Sequence, residues 1–249
     1  MSKRTRIGTC HLCGAVGKLS YEHVPPRAAF NDRPIVARAI DEIIKKGSPD
    51  NVKRHIYQRG AGAYTLCGRC NSNTGHWYGP AFVEWVTQGM YILQAARLHL
   101  SIYNNFHIFP LRVIKQIACM FFSVNTVRFR KVHPALEKFV LDRGSRYLPE
   151  EIRLYVFYAV GGCARQSGIM SHLDINKPLE GTTFSEITFP PFGYVMSFDR
   201  PPDAKMLDIS HFSYYQFNTY RAMSFRIPVL PVISYLPGDY RSQAELNKA

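Results

Sequence analysis

Two Cys-x-x-Cys pairs, Cys10/Cys13 and Cys67/Cys70, constrain this chain more than any other feature. Each pair puts two thiols on one tight loop, and Gly14 lets backbone N–H groups turn toward sulfur after the first. Together the four thiols can close a tetrahedral zinc site. The 53 residues between the pairs (14–66) are long for a simple zinc ribbon, but they suit a functional loop inserted between two knuckles. A redox dithiol of the thioredoxin kind needs one pair in a strand–helix–strand setting, which this stretch lacks. Cys119 and Cys163 stand alone in apolar surroundings. The cysteines therefore read as metal ligands plus two buried thiols in a reducing cytoplasm, not as a secreted disulfide framework.

The charge is concentrated near the same feature. The formal net charge is +13 over 249 residues. Residues 1–80 hold 13 Lys+Arg and 5 Asp+Glu, a net of +8, and residues 81–249 hold the other 18 and 13, a net of +5. The first third is thus the denser basic region, which points to a polyanionic partner. No apolar stretch is both long and charge-free enough to span a bilayer, and no apolar run follows the basic start Met1–Arg6. A hydrophobic content of 46% can bury a core of one large or two small domains.

Between the knuckles lies Ser20-Tyr-Glu-His-Val-Pro-Pro-Arg27, and the second knuckle runs into Asn71-Ser-Asn-Thr-Gly75. Residues 17–22 read as a strand delivering Glu22 and His23, and Pro25-Pro26 excludes helix beyond it. Tyr64–Leu66 reads as a strand delivering Cys67, with a helix starting near Cys70 or Asn71. Neighbouring side chains of a strand point to opposite sides, so Glu22 and His23 share a target only if the chain bends there. A helix is predicted over Val36–Lys46, and residues 52–63 read as a basic loop.

The order Cys-x-x-Cys, Glu-His-Val-Pro-Pro, Cys-x-x-Cys-Asn resembles the HNH endonucleases, a ββα-metal nuclease family, in its zinc-stapled subgroup. The resemblance covers residues 10–76. It implies a ββα module with a structural zinc on Cys10, Cys13, Cys67 and Cys70. It implies His23 as the general base that activates water, and Glu22 and Asn71 as ligands of one catalytic divalent ion. Oxygen ligands suit Mg²⁺ or Mn²⁺. The family's middle Asn, which braces the loop behind the histidine, lies a few residues before the second knuckle. Residues 58–66 contain no Asn here, and Asn51 and His55 are farther upstream. The group that orients His23 is therefore not identified from sequence.

The implied activity is metal-dependent hydrolysis of nucleic-acid phosphodiesters, DNA before RNA, in a role such as prokaryotic defence or mobile-element function. The alternative is a zinc-binding module without catalysis that docks nucleic acid or a partner protein. Arg27, Lys53, Arg54, Arg59 and Arg69 surround the site in sequence and are candidate phosphate contacts.

Residues 81–249 carry no recognised catalytic motif and form the second expected region, after an N-terminal module of residues 1–80. Helices are predicted over 81–100, 110–124 and 134–141. Strands are predicted at 153–160, 184–189, 194–198, 212–217 and 223–229. The expected class is α+β, with a helical middle and an antiparallel C-terminal sheet. This half is available to contact a protein partner or a second copy of the chain.

Overall fold

The computed structural model describes residues 6–96, 101–174, 177–198, 200–202 and 204–248. The protein is a mixed α+β fold. Strands β1 (Ile7–Thr9) and β2 (Val16–His23) form a hairpin around the first knuckle, with Thr9 opposite Val16. An excursion follows, made of β3 (Ile35–Ala37), α1 (Ile40–Lys46) and β4 (His55–Tyr57). Strand β5 (Gly62–Cys67) then returns antiparallel to β2, and α2 (Gly68–Trp77) begins at once. The small sheet has the order β1-β2-β5.

The helix expected from Val36 starts only at Ile40, because Ile35–Ala37 pair with β4 instead, Ile35 opposite Tyr57. The same pairing makes a strand of His55–Tyr57 within the expected loop.

Helix α3 (Gly79–Ala95) has Pro80 in its first turn, where a missing N–H costs nothing. The last residues of the helix predicted here, 97–100, lie outside the described residues. Strand β6 (Ser101–Ile108) precedes α4 (Pro110–Val124), α5 (Phe129–Val132) and α6 (Pro134–Leu141). The rest is mostly sheet: β7 (Arg153–Val160), β8 (Arg165–Asp174), β9 (Lys177–Phe189), β10 (Phe192–Ser197), β11 (Leu207–Asp208) and β12 (Arg221–Pro231), closed by α7 (Gln243–Leu246).

The large sheet runs β6-β12-β7-β10-β9-β8, with β11 beside β7. It is not purely antiparallel as expected. Strand β12 pairs antiparallel with β6 through its first part and parallel with β7 through its last, Val229 opposite Tyr158. The strand predicted at 212–217 is instead a 3-10 turn, Ser210–Tyr214. Asp208 Oδ1 accepts from Ser210 N at 2.7 Å and Ser213 Oγ donates to Ser210 O at 2.7 Å. Such local side-chain bonds compete with a sheet ladder.

The larger of two hydrophobic clusters joins both parts of the chain. It includes Leu12, Leu19 and Leu66 of the small sheet, Trp85 of α3, Ile114 and Ile117 of α4, and Val156 and Ile227 of the large sheet. Trp85 sits at its centre, stacked on Phe192 at 4.7 Å between ring centroids, with its indole N–H donating to Tyr194 Oη at 3.0 Å. Helix α4 is buried on nearly all sides, as a helix apolar all round must be. Lys115, Gln116 and Ser123 of this helix are buried with it.

Candidate metal centre and adjoining cleft

The β1–β2 hairpin carries Cys10 and Cys13 on its turn, and the pairing of Leu19 with Cys67 carries that turn to the start of α2. The turn closes by Gly14 N donating to Cys10 O at 2.9 Å, with Gly14 at φ 75°. Cys67 caps α2 and Cys70 lies in its first turn. All four Sγ atoms lie within 4.8 Å of one another. Cys13 Sγ and Cys67 Sγ are 3.8 Å apart, too far for a disulfide. That spacing fits a tetrahedron of Zn–S bonds of about 2.3 Å.

A cation would change the charge state of this cluster. Cys10 is pulled down to about 4 by the hydrogen bond from Cys70, and the same contact pushes Cys70 up. Burial pushes Cys13 up. Four thiols packed this closely cannot all ionise against one another, whereas a dication makes four thiolates the favoured state. The sulfur geometry thus fits a metal ion, zinc in particular. Arg130 of α5 lies against Gly14 and pairs with Glu137 at 3.2 Å, so it buttresses this knuckle.

Beside the cluster is a cleft of about 640 Å³ lined by Glu22, His23 and Asn71, with Arg27, Glu84 and Gln116 on its other walls. Strand β2 has its irregularity between Ser20 and Tyr21, then stays paired through His23 opposite Gly62. The expected bend is therefore upstream of the Glu-His pair. Glu22 keeps the inward side of the strand and is 6% exposed, while His23 is half-buried, and both reach the cleft.

Each of the three has a distinct setting. The Glu22 carboxylate has no hydrogen bond or ion pair among the described residues, and its burial pushes it up to about 8. His23 Nε2 lies 3.0 Å from the carbonyl oxygen of Arg59. A carbonyl can only accept, so in the neutral ring Nε2 carries the proton and Nδ1 keeps its lone pair. The ring also stands edge-on to Tyr21 at 4.9 Å. Asn71 Nδ2 donates to Ser20 Oγ and to Tyr21 O, both at 3.1 Å, which leaves Oδ1 for another partner.

Asn31 supplies the brace that the sequence left unassigned. It is 1% exposed. Its Nδ2 donates to Pro25 O at 2.7 Å and Ala61 O at 2.8 Å, and its Oδ1 accepts from Ala61 N at 2.6 Å. The loop after His23 is thereby bolted to the segment whose Arg59 carbonyl holds the imidazole. Gly60, at φ 90°, makes this approach feasible: a Cβ there would sit 2.1 Å from Asn31 O. No spacing to a motif marks Asn31 in the sequence, since it lies after the histidine and not before the second knuckle.

Gln116 was also missed. It is 1% exposed, its Oε1 has no partner among the described residues, and it stands in a largely apolar helix of the C-terminal half. A buried amide in such a helix was the available signal. Glu84 of α3 accepts from Tyr220 at 2.7 Å. Of the five basic candidates, Arg27 lines the cleft. Lys53, Arg54, Arg59 and Arg69 are exposed and not among its lining residues; Arg59 serves the site through its main chain.

Comparison with family models, with curated proteins and with solved structures gave no match. No helix among the described residues is long and apolar enough to cross a membrane.

Proposed function

We propose that the protein is a metal-dependent nuclease of the HNH type, hydrolysing phosphodiester bonds of DNA in the cleft beside the four-cysteine cluster. The observation that carries this reading is Glu22: a carboxylate buried without a cationic side chain, lining the same cleft as a braced imidazole and the amide of Asn71. A buried carboxylate is costly unless a cation offsets its desolvation. Glu22 and Asn71 Oδ1 would hold a hard divalent ion, and Gln116, whose buried Oε1 has no partner among the described residues, lines the same cleft. Bound there, such an ion would neutralise the scissile phosphate and the leaving oxygen.

The chain's own groups supply the rest. His23 Nδ1 would accept a proton from the attacking water, and the hydrogen bond at Nε2 stabilises the imidazolium that results. Arg27, at the cleft's rim, would contact a non-bridging phosphate oxygen. Asn31 acts through the loop, keeping the Arg59 carbonyl in place. The strand–strand–helix succession of β2, β5 and α2, stapled by the cysteines, supports the family reading.

The test is a supercoiled plasmid incubated with zinc-loaded protein and Mg²⁺, Mn²⁺ or neither. Nicking that requires Mg²⁺ or Mn²⁺ and falls at least 100-fold in His23→Ala is the expected result, since a positioned base contributes ~10²–10⁴-fold. DNA binding without cleavage in any divalent metal would instead support the non-catalytic zinc module.

A further inference from the structure

A second cavity, of about 440 Å³, adjoins the cleft and shares Arg27 and Ala28 with it. Phe30, Asp32 and Arg33 line it from the loop after His23, and Met90 and Gln94 line it from α3. Its volume lies within the usual range for a small-molecule site.

Phe30 is the unusual residue. The loop makes a short turn, with Ala29 N donating to Pro26 O at 2.8 Å and Asn31 N to Arg27 O at 3.2 Å. Phe30 ends that turn at φ 64°, in the left-handed region. Glycine occupies such a position at no steric cost, whereas a bulky aromatic there is strained. The ring gains little burial in return: Phe30 is 41% exposed, while its neighbours Ala29 and Asn31 are 0% and 1% exposed. Two buried neighbours fix the backbone, so the ring is presented outward from a rigid base. Strain of this kind clusters at ligand sites.

The polar groups around the ring are unspent. The side chains of Arg27, Asp32, Arg33 and Gln94 have no hydrogen bond or ion pair among the described residues. Two guanidiniums suit phosphates. An aromatic face suits a nucleobase, and a carboxylate with an amide can meet the donor and acceptor edge of one.

We propose that this cavity receives one unpaired base of the DNA strand next to the scissile phosphate. Phe30 stacks on the base, Arg33 holds the flanking phosphate, and Arg27 spans the base cavity and the catalytic cleft. A base inside a duplex offers no free face, so the substrate class is DNA with unpaired nucleotides: single strands, flaps or an extruded base. This rests on the nuclease reading for its choice of polyanion.

The experiment uses full-length, zinc-loaded His23→Ala protein, which binds without cutting, and fluorescein-labelled single-stranded and duplex oligonucleotides of one sequence. Anisotropy at fixed salt should show tighter binding of the single strand. Phe30→Gly in the same background suits the left-handed backbone and should not lower the melting temperature. It should weaken single-strand binding about 10-fold through the lost base stacking, and change duplex binding little. Phe30→Trp should bind the single strand as His23→Ala alone does. Equal single-strand affinity with and without the ring, or equal losses for both probes, overturns the base cavity. The two proposals fail separately. Metal-dependent plasmid cleavage with a neutral Phe30→Gly leaves the nuclease and removes the cavity. Ring-dependent single-strand binding with no cleavage in any metal does the reverse.

Discussion

Glu22 is the residue on which the proposed chemistry turns, and its burial has a pH signature. Its folded-state value is raised to about 8, so between its ordinary value and 8 the folded protein holds a proton that the unfolded chain releases. Stability must therefore fall as pH rises through that window in buffer without added divalent ions. In zinc-loaded protein the melting temperature of wild type should drop relative to Glu22→Gln between pH 6 and pH 8. Added Mg²⁺ should reverse the drop in wild type only. Parallel curves for the two proteins would remove the case for a buried, cation-seeking carboxylate.

Asn31 makes a second residue-scale prediction. Asn31→Ala strands one N–H and two carbonyls in the interior, a cost of ~1–3 kcal/mol for each group left unpaired. Chemical denaturation should show a loss of at least that size, and cleavage should fall even where the protein remains folded. The meeting of Glu22, His23 and Asn71 at one cleft was legible from their places beside the knuckles. Asn31 was not, because its role depends on where a loop folds back and not on spacing to a motif.

Among the elements, α4 does two jobs with adjacent residues. Lys115 Nζ donates to Phe139 O and, at 2.7 Å, to Asp142 O, satisfying carbonyls at the end of α6. Gln116, next in sequence, lines the cleft. Gln116→Leu conserves approximate volume and removes the amide, so it should leave the fold intact and weaken Mn²⁺ activation, raising the half-saturating Mn²⁺ concentration several-fold. An unchanged Mn²⁺ dependence would relegate Gln116 to packing. The helical period made α4 legible to the residue, as it did α6, and the run 153–160 gave β7. Strands β6 and β8 were not foreseen. Exposed polar residues such as Asn104 and Asn105 interrupt the apolar pattern of β6, so no run stands out.

At the scale of the whole molecule, the site is built by two distant stretches of chain. The sulfur cluster, β2 and α2 supply the candidate chemistry, while α3 and α4 wall the cleft with Glu84 and Gln116. The core passes between them, and Gln166 reaches from β8 to donate to Val24 O. A fragment of residues 1–80 would expose Leu12, Leu66 and Cys70 and should not fold with zinc alone; dispersed amide signals from that fragment would contradict this. Composition located the charge and the cysteines located the staple. The wall was hidden, because residues as far apart in sequence as Glu22 and Gln116 can line one cleft without leaving a local pattern.

The most direct measurement counts Mn²⁺ bound to protein whose four-cysteine site is already filled with zinc, by electron paramagnetic resonance, in wild type and in Glu22→Gln. One Mn²⁺ per wild-type chain, displaced by Mg²⁺ and lost in Glu22→Gln, is the expected result. Equal Mn²⁺ binding by the two proteins, or none by wild type at millimolar concentration, would contradict a catalytic cation held by Glu22.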